Sequence, residues 1–132
     1  MVPPFLAYYG VLTANESLVK EAYNQIKLYR SYLRDGYNDP KNSALWRHIV
    51  MGSEIAPDPG HWSTGNAWAA AGMLRVLGTI VNSQYAEPLK SERKDLAGWI
   101  DEIHNGMYAH VVKWTHKFFY FSSLDFPAFI AT

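Results

Sequence analysis

One short segment, HWSTGNAW at residues 61–68, contains the densest cluster of side chains that suit ligand binding. Residues 64–66 are types that cap helices, and the apolar pattern of a helix begins directly after them. A helix N-terminus carries free backbone N–H groups and a positive dipole, which favour a bound carboxylate. With Trp62 and Trp68 as aromatic walls, the segment favours a site for an acidic sugar. In the alternative interpretation, both tryptophans are core anchors and Asn66 is only a helix cap.

Other reactive side chains show weaker patterns. His104, His110 and His116 are spaced six residues apart, which suits no common pair of helical ligands, so no metal site is expected. The chain has no cysteine, which excludes thiolate ligands and a cysteine nucleophile. Asp101 and Glu102 would point about 100° apart on a helix, which favours a solvated face over a paired acid and base. No nucleophile elbow or glycine-rich phosphate loop is present, and no cofactor is expected.

Length and composition restrict the class of protein. The chain has 132 residues, the size of one domain or of part of a larger one. Twelve Lys and Arg balance twelve Asp and Glu, which argues against nucleic acid and against an anionic membrane as partners. No apolar run approaches the ~20 residues of a membrane helix, and residues 1–10 do not resemble a signal peptide. The compartment, secreted or cytoplasmic, and the oligomeric state stay open.

The clearest amphipathic pattern predicts a helix from about Ala14 to Arg34, with Thr13 and Glu16 forming a capping box and Asp-Gly at 35–36 ending it. Its predicted apolar stripe is Leu18, Ala22, Tyr23, Ile26, Tyr29 and Leu33. Before it, residues 5–12 predict the end of another helix with proline in its first turn.

Two further helices are predicted over about 67–82 and 92–110. Their apolar stripes are Ala70, Met73, Leu74, Leu77, Ile80 and Val81 in the first, and Leu96, Ile100, Ile103 and Met107 in the second. The small residues at 67–72 would let a neighbouring helix approach closely. The preceding segment, 37–65, is rich in proline and glycine, and its two tryptophans favour an ordered functional loop. No segment shows a comparable strand pattern, so the chain is predicted to be all-α, built from antiparallel helical hairpins.

Four motifs, in order, resemble the unsaturated glucuronyl and rhamnogalacturonyl hydrolases of glycoside hydrolase families 88 and 105. They are MVPPFLAYYG at 1–10, A-x-x-Q-I with Y-x-x-Y-L over 22–33, L-W-x-H at 45–48, and WSTGNAW at 62–68. The resemblance covers about residues 1–110 and implies a partial (α/α)6 toroid, the six-hairpin fold. It also implies a pocket for the unsaturated uronic acid that polysaccharide lyases leave on oligosaccharides. In these enzymes a carboxylic acid protonates the double bond and water adds to the sugar, unlike the two-carboxylate route of ordinary glycosidases.

The resemblance implies a substrate-binding set of His48, Trp62, Thr64, Asn66 and Trp68. His48 would be the pocket histidine and Trp62 a stacking aromatic, with Asn66 and Trp68 as inner members of the motif. Thr64 departs from the family pattern, because many relatives have Arg there, and the change removes a bidentate partner for a carboxylate. We expect His48, Trp62 and Asn66 to converge at one concave end of the bundle. Trp68, together with Met73, is expected to be buried.

The general acid implied by the resemblance is an Asp directly before the M-x-x-P-F-L segment, which here begins at Met1. The other carboxylates have no matching context: Asp35 and Asp39 flank a glycine turn, Asp58 lies between two prolines, and Asp95, like residues 101–102, belongs to a helix face predicted to be solvated. We therefore expect no catalytic residue within the chain.

These observations predict a truncated glycosidase. Residues 1–110 would be a partial six-hairpin domain, and residues 111–132 an aromatic-rich tail. The expected function is that of a glycoside hydrolase fragment for unsaturated uronyl, pectin-derived oligosaccharides, inactive alone. The alternative is a non-catalytic helical module that binds a glycan or a protein through its aromatics.

Overall fold

Four α-helices dominate the described part of the chain, which comprises residues 2–36, 44–51, 58–113 and 119–121 of the computed structural model. They are α1 (Val2–Leu12), α2 (Glu16–Leu33), α3 (Ser63–Val81) and α4 (Lys90–Tyr108). Two three-residue strands, β1 (Val111–Lys113) and β2 (Phe119–Phe121), pair antiparallel with Val112 opposite Tyr120. The fold is all-α, as predicted, and the short hairpin is an addition that the sequence pattern did not indicate. The aromatic residues 126–130 lie outside the described residues.

The helix ends differ in detail from the prediction. As expected, α1 has Pro3 in its first turn. The N–H that proline lacks would have no hydrogen-bond partner within the helix at this position. Asn15, and not Thr13, caps α2, because its side chain accepts the Leu18 N–H at 3.3 Å. The Thr13 hydroxyl instead donates to the Tyr9 carbonyl at 2.8 Å, and so is used to end α1.

The predicted glycine stop of α2 is wrong. The helix ends at Leu33, and the C-cap residue Arg34 has extended backbone angles of φ −63° and ψ 125°. Arg34 forms an antiparallel bridge with Trp46, and Gly36 does not adopt a positive φ. The chain therefore leaves α2 through an extended residue that pairs with the following loop.

The core lies between two antiparallel hairpins, α1–α2 and α3–α4, with α1 also packed on α3. α1 and α2 approach closely at Gly10 of α1, where an added Cβ would lie 2.8 Å from Val19 Cγ2 and 3.0 Å from the Asn15 carbonyl oxygen. The predicted close approach at the small residues of α3 is not seen at Gly72, where an added Cβ would meet nothing within 4 Å.

None of the described helices has the length and apolar character needed to span a membrane.

The predicted apolar stripes are correct at their centres and wrong at their edges. The stripe residues that are buried are Ala22, Tyr23, Ile26, Ala70, Met73, Ile80, Leu96, Ile100 and Ile103. Leu74, Val81 and Tyr29 are exposed, and Val19 and Val76 are buried in addition. Leu74 and Val81 each follow a buried residue directly, which places them about 100° around the helix and outside the contact with α1.

Polar side chains join α2 to α4. The Tyr23 hydroxyl donates to Asp95 Oδ2 at 2.5 Å, and Arg30 Nη2 lies 2.6 Å from Glu102 Oε2. Arg34 Nε reaches the same Glu102 oxygen at 3.3 Å. Burial and the hydrogen bond to Asp95 raise the pKa of Tyr23 above its usual value. Asp95 and Asp101 are exposed, as predicted for a solvated face, whereas Glu102 is partly buried and paired with Arg30 and Arg34.

Candidate functional site

A cavity of about 370 Å³ lies where the first turn of α1, the middle of α2, residues 46–48 and the start of α3 meet. Its walls are mostly apolar and aromatic, with a few polar groups, and its size falls within the range of small-molecule sites. Of the predicted site residues, His48, Trp62, Asn66 and Trp68 line it. Thr64 is exposed and is not among the lining residues.

The loop before α3 is held against the end of α2 by backbone hydrogen bonds. Arg47 N–H donates to the Leu33 carbonyl at 2.8 Å, and Asp35 N–H donates to the Leu45 carbonyl at 2.9 Å. On its other side, His48 N–H donates to the Gly60 carbonyl at 2.9 Å. These contacts place residues 46–48 at the cavity even though they belong to no helix.

Asn66 connects this loop to α3. The helix begins at Ser63, four residues before the predicted start, so residues 64–66 lie inside its first turn and do not cap it. Asn66 is 1% exposed. Its Oδ1 accepts the Trp46 N–H at 2.8 Å, and its Nδ2 donates to the carbonyls of Trp46 and Trp62 at 2.9 and 3.1 Å. The amide is fully engaged with the main chain and holds the two sides of the cavity together.

His48 and Trp62 form one wall of the cavity. Their rings stack with centroids 4.5 Å apart and planes inclined by 23°. One carboxylate oxygen, Asp58 Oδ2, lies 2.9 Å from His48 Nδ1 and accepts the Trp62 Nε1–H at 3.0 Å. A single charged group therefore sets the orientation of both rings.

Asp58 is the functional residue that the sequence analysis missed. The His48 hydrogen bond, and then the Gly60 N–H that donates to Oδ1 at 3.0 Å, hold the pKa of Asp58 below its usual value. Asp58 is thus ionised in neutral solution and is an acceptor, not a proton donor. The available signal was the Asp-Pro-Gly sequence at 58–60, since an Asp side chain often accepts the N–H two residues later in a turn.

The two residues predicted to be buried, Met73 and Trp68, differ in the structure. Met73 is 1% exposed, as expected, whereas Trp68 is 64% exposed and the prediction for it is wrong. Trp68 lies on α3 at the cavity, so a large part of its indole faces solvent.

A second histidine–carboxylate pair lies near the site. His61 Nε2 is 3.1 Å from Asp35 Oδ2, with both side chains 15% exposed, and neither residue lines the cavity. This pair ties the end of α2 to the residue before Trp62. Within the described ranges, no group of three His, Cys, Asp or Glu side chains is close enough to hold a metal ion, and His116 falls outside them.

Comparison with models of known protein families gives a match over most of the chain. The model of Glycosyl Hydrolase Family 88 matches residues 1–120, which include all four helices, the loop of His48 and the start of α3. No curated protein and no solved structure shows significant similarity to the chain. Because the family match covers most of the sequence, the chain belongs to glycosyl hydrolase family 88, a glycosidase family with a helical hairpin toroid fold.

Proposed function

We propose that the cavity binds the terminal unsaturated uronyl sugar of a pectin-derived oligosaccharide, the substrate class that the family resemblance implies. The observation that carries the proposal is the stacked pair of His48 and Trp62, held by Asp58 at the wall of an apolar cavity. Sugar rings have apolar C–H faces and polar edges. A site of aromatic walls with a few oriented polar groups suits both.

Each residue has a distinct part in this proposal. Because Asp58 occupies His48 Nδ1, Nε2 is the ring nitrogen left for a sugar hydroxyl. Trp62 and Trp68 supply aromatic surface, being 43% and 64% exposed. Both ends of the Asn66 amide are hydrogen-bonded to the main chain, and in this proposal the residue acts by holding the cavity walls in place.

The cavity supports binding more strongly than proton transfer. Protonating an enol ether in neutral solution needs a carboxylic acid of raised pKa about 3 Å from the accepting carbon. None of the described residues that line the cavity is Asp or Glu, and the nearby Asp58 has a lowered pKa. We therefore expect the 132-residue chain to bind these oligosaccharides without hydrolysing them.

Two measurements with lyase-generated unsaturated oligosaccharides test the proposal. Tryptophan fluorescence reports binding, and the absorbance of the unsaturated ring reports turnover. Trp62→Ala and His48→Ala should each weaken binding by roughly tenfold, whereas Tyr108→Ala, at a 75% exposed residue of α4, should leave it unchanged. Binding that is insensitive to Trp62→Ala would refute the site. Turnover that is abolished by changing one of the chain's own carboxylates would refute the binding-only role.

A non-catalytic module that binds a glycan elsewhere is the alternative, favoured by the exposed aromatics of α1. Phe5 and Tyr9 stack with ring centroids 5.8 Å apart on the outer face of that helix, and both are exposed. Under this alternative, Tyr9→Ala would remove glycan binding and Trp62→Ala would not. Calorimetric titration of the two variants, which does not depend on a tryptophan at the site, therefore distinguishes the two sites.

A further inference from the structure

Arg47 is the one permanently charged residue among the described residues that line the cavity. It is partly exposed, and no carboxylate lines the cavity with it. Within the described part of the chain, its guanidinium takes part in no hydrogen bond or ion pair. By contrast, Arg30 and Arg34 are both paired with Glu102. Arg47 is therefore a cation that the fold leaves available at this site.

Two buried side-chain N–H groups that have no hydrogen-bond partner within the described ranges belong to residues that line the cavity. Among the described residues, three buried side-chain nitrogens have no hydrogen-bond partner, namely Trp46 Nε1, Arg47 Nε and Arg93 Nε. Arg93 is partnered through its Nη1, which donates to the Ala86 carbonyl at 2.8 Å. The other two belong to consecutive residues that line the cavity. Buried donors in folded proteins are nearly always paired, so these two unpaired nitrogens show that the described part of the protein supplies few acceptors around Trp46 and Arg47.

We propose that Arg47 binds the carboxylate of the ligand and makes the cavity selective for an acidic sugar over its neutral counterpart. A guanidinium presents parallel N–H donors that match the two oxygens of a carboxylate. The inference rests on the proposed function, because it names the group that selects the ligand at that site. It also assigns a role to a residue that neither the motifs nor the spacing singled out.

The test compares an unsaturated uronyl disaccharide with its methyl ester, titrated into the 132-residue chain by calorimetry. Arg47→Met keeps much of the side-chain length and removes the charge, and Arg47→Lys keeps the charge without the planar fork. We expect Arg47→Met to weaken binding of the acid by roughly 10- to 100-fold and to change binding of the ester little, with Arg47→Lys in between. Arg75→Met is the matched control, since Arg75 is an exposed arginine of α3 outside the cavity lining.

The outcomes separate the two proposals. If Trp62→Ala removes binding while Arg47→Met affects acid and ester equally or not at all, the site stands and the role of Arg47 is overturned. If the wild-type chain binds neither disaccharide, both proposals fall. Circular dichroism of each variant, and the ester titration itself, show whether Arg47→Met has disturbed the fold. Arg47→Lys provides a second comparison that retains the charge.

Discussion

The side-chain amide of Asn66 pairs with both the N–H and the C=O of Trp46, at 2.8 and 2.9 Å, although the two residues are 20 positions apart. The arrangement imitates the pairing of two strands, with one partner supplied by a helix. It replaces the secondary structure that the loop lacks. The position of the loop therefore depends on one buried side chain.

Asn66→Ala should lower the free energy of unfolding by about 2–4 kcal/mol, because it removes three hydrogen bonds and leaves the buried main-chain groups of Trp46 without partners. Chemical denaturation measures the effect. Asn24→Ala, at an exposed position of α2, should change the value by no more than about 0.5 kcal/mol. Equal effects of the two substitutions would show that the Asn66 pairing does not stabilise the fold.

Trp68 and Met73 should respond in opposite ways to truncation. Met73→Ala removes a 1% exposed side chain and should cost about 2–4 kcal/mol of stability. Trp68→Ala removes a 64% exposed side chain and should cost less than about 1 kcal/mol while weakening binding of the oligosaccharide. Thermal unfolding and the fluorescence titration, run on both variants, check this separation. A large loss of stability with Trp68→Ala would contradict it.

Two glycine-to-alanine substitutions should have opposite signs. At Gly10, an added Cβ would lie 3.0 Å from a backbone oxygen, so Gly10→Ala should destabilise the fold by about 1–3 kcal/mol. At Gly98 of α4 the added atom would meet nothing within 4 Å, so the better helix propensity of alanine should stabilise by about 0.5–1 kcal/mol. The midpoints of urea unfolding decide the signs, and stabilisation by Gly10→Ala would mean that α1 and α2 can move apart freely.

Asp58 should make the stability of the fold depend on pH in the acidic range. Its pKa is lowered in the folded chain, with the His48 hydrogen bond as the largest cause. The carboxylate therefore contributes stability above the ordinary aspartate pKa of about 3.9, and that contribution is lost as pH falls through the lowered value. The melting temperature of wild type should exceed that of Asp58→Asn in neutral solution, and the gap should shrink in acid. Asp101→Asn, at an exposed residue of α4, is the matched control for the change of charge.

The sequence is sufficient to predict those buried residues that recur at the spacing of a helix. Ala22 with Ile26, and Leu96 with Ile103, follow the helical period, and their burial follows from it. The predicted start of α3 is wrong because Thr-Gly-Asn at 64–66 is typical of a cap, whereas the helix begins at Ser63 and Asn66 lies in its first turn, bonded to Trp46. A side chain buried by a loop leaves no period in the sequence.

The candidate site was harder to predict for the same reason. The motifs indicated His48 and Trp62, but the carboxylate that joins them lies in a turn whose proline and glycine indicate only a loop. The exposure of Trp68 was missed because a tryptophan on a helix is assumed to face the core. In this structure Trp68 lies at the cavity and is 64% exposed.

The contacts between α2 and α4 also define a register. Tyr23 pairs with Asp95 and Arg30 with Glu102, so each contact joins residues 72 positions apart. The two helices therefore run parallel, and successive contacts are separated by two helical turns. A one-residue insertion in α4 between Asp95 and Glu102 would rotate Glu102 by about 100° and carry it away from Arg30. An insertion of seven residues would restore its direction but would move it about 10 Å along the helix axis. The length of α4 between Asp95 and Glu102 is thus fixed by the matching segment of α2.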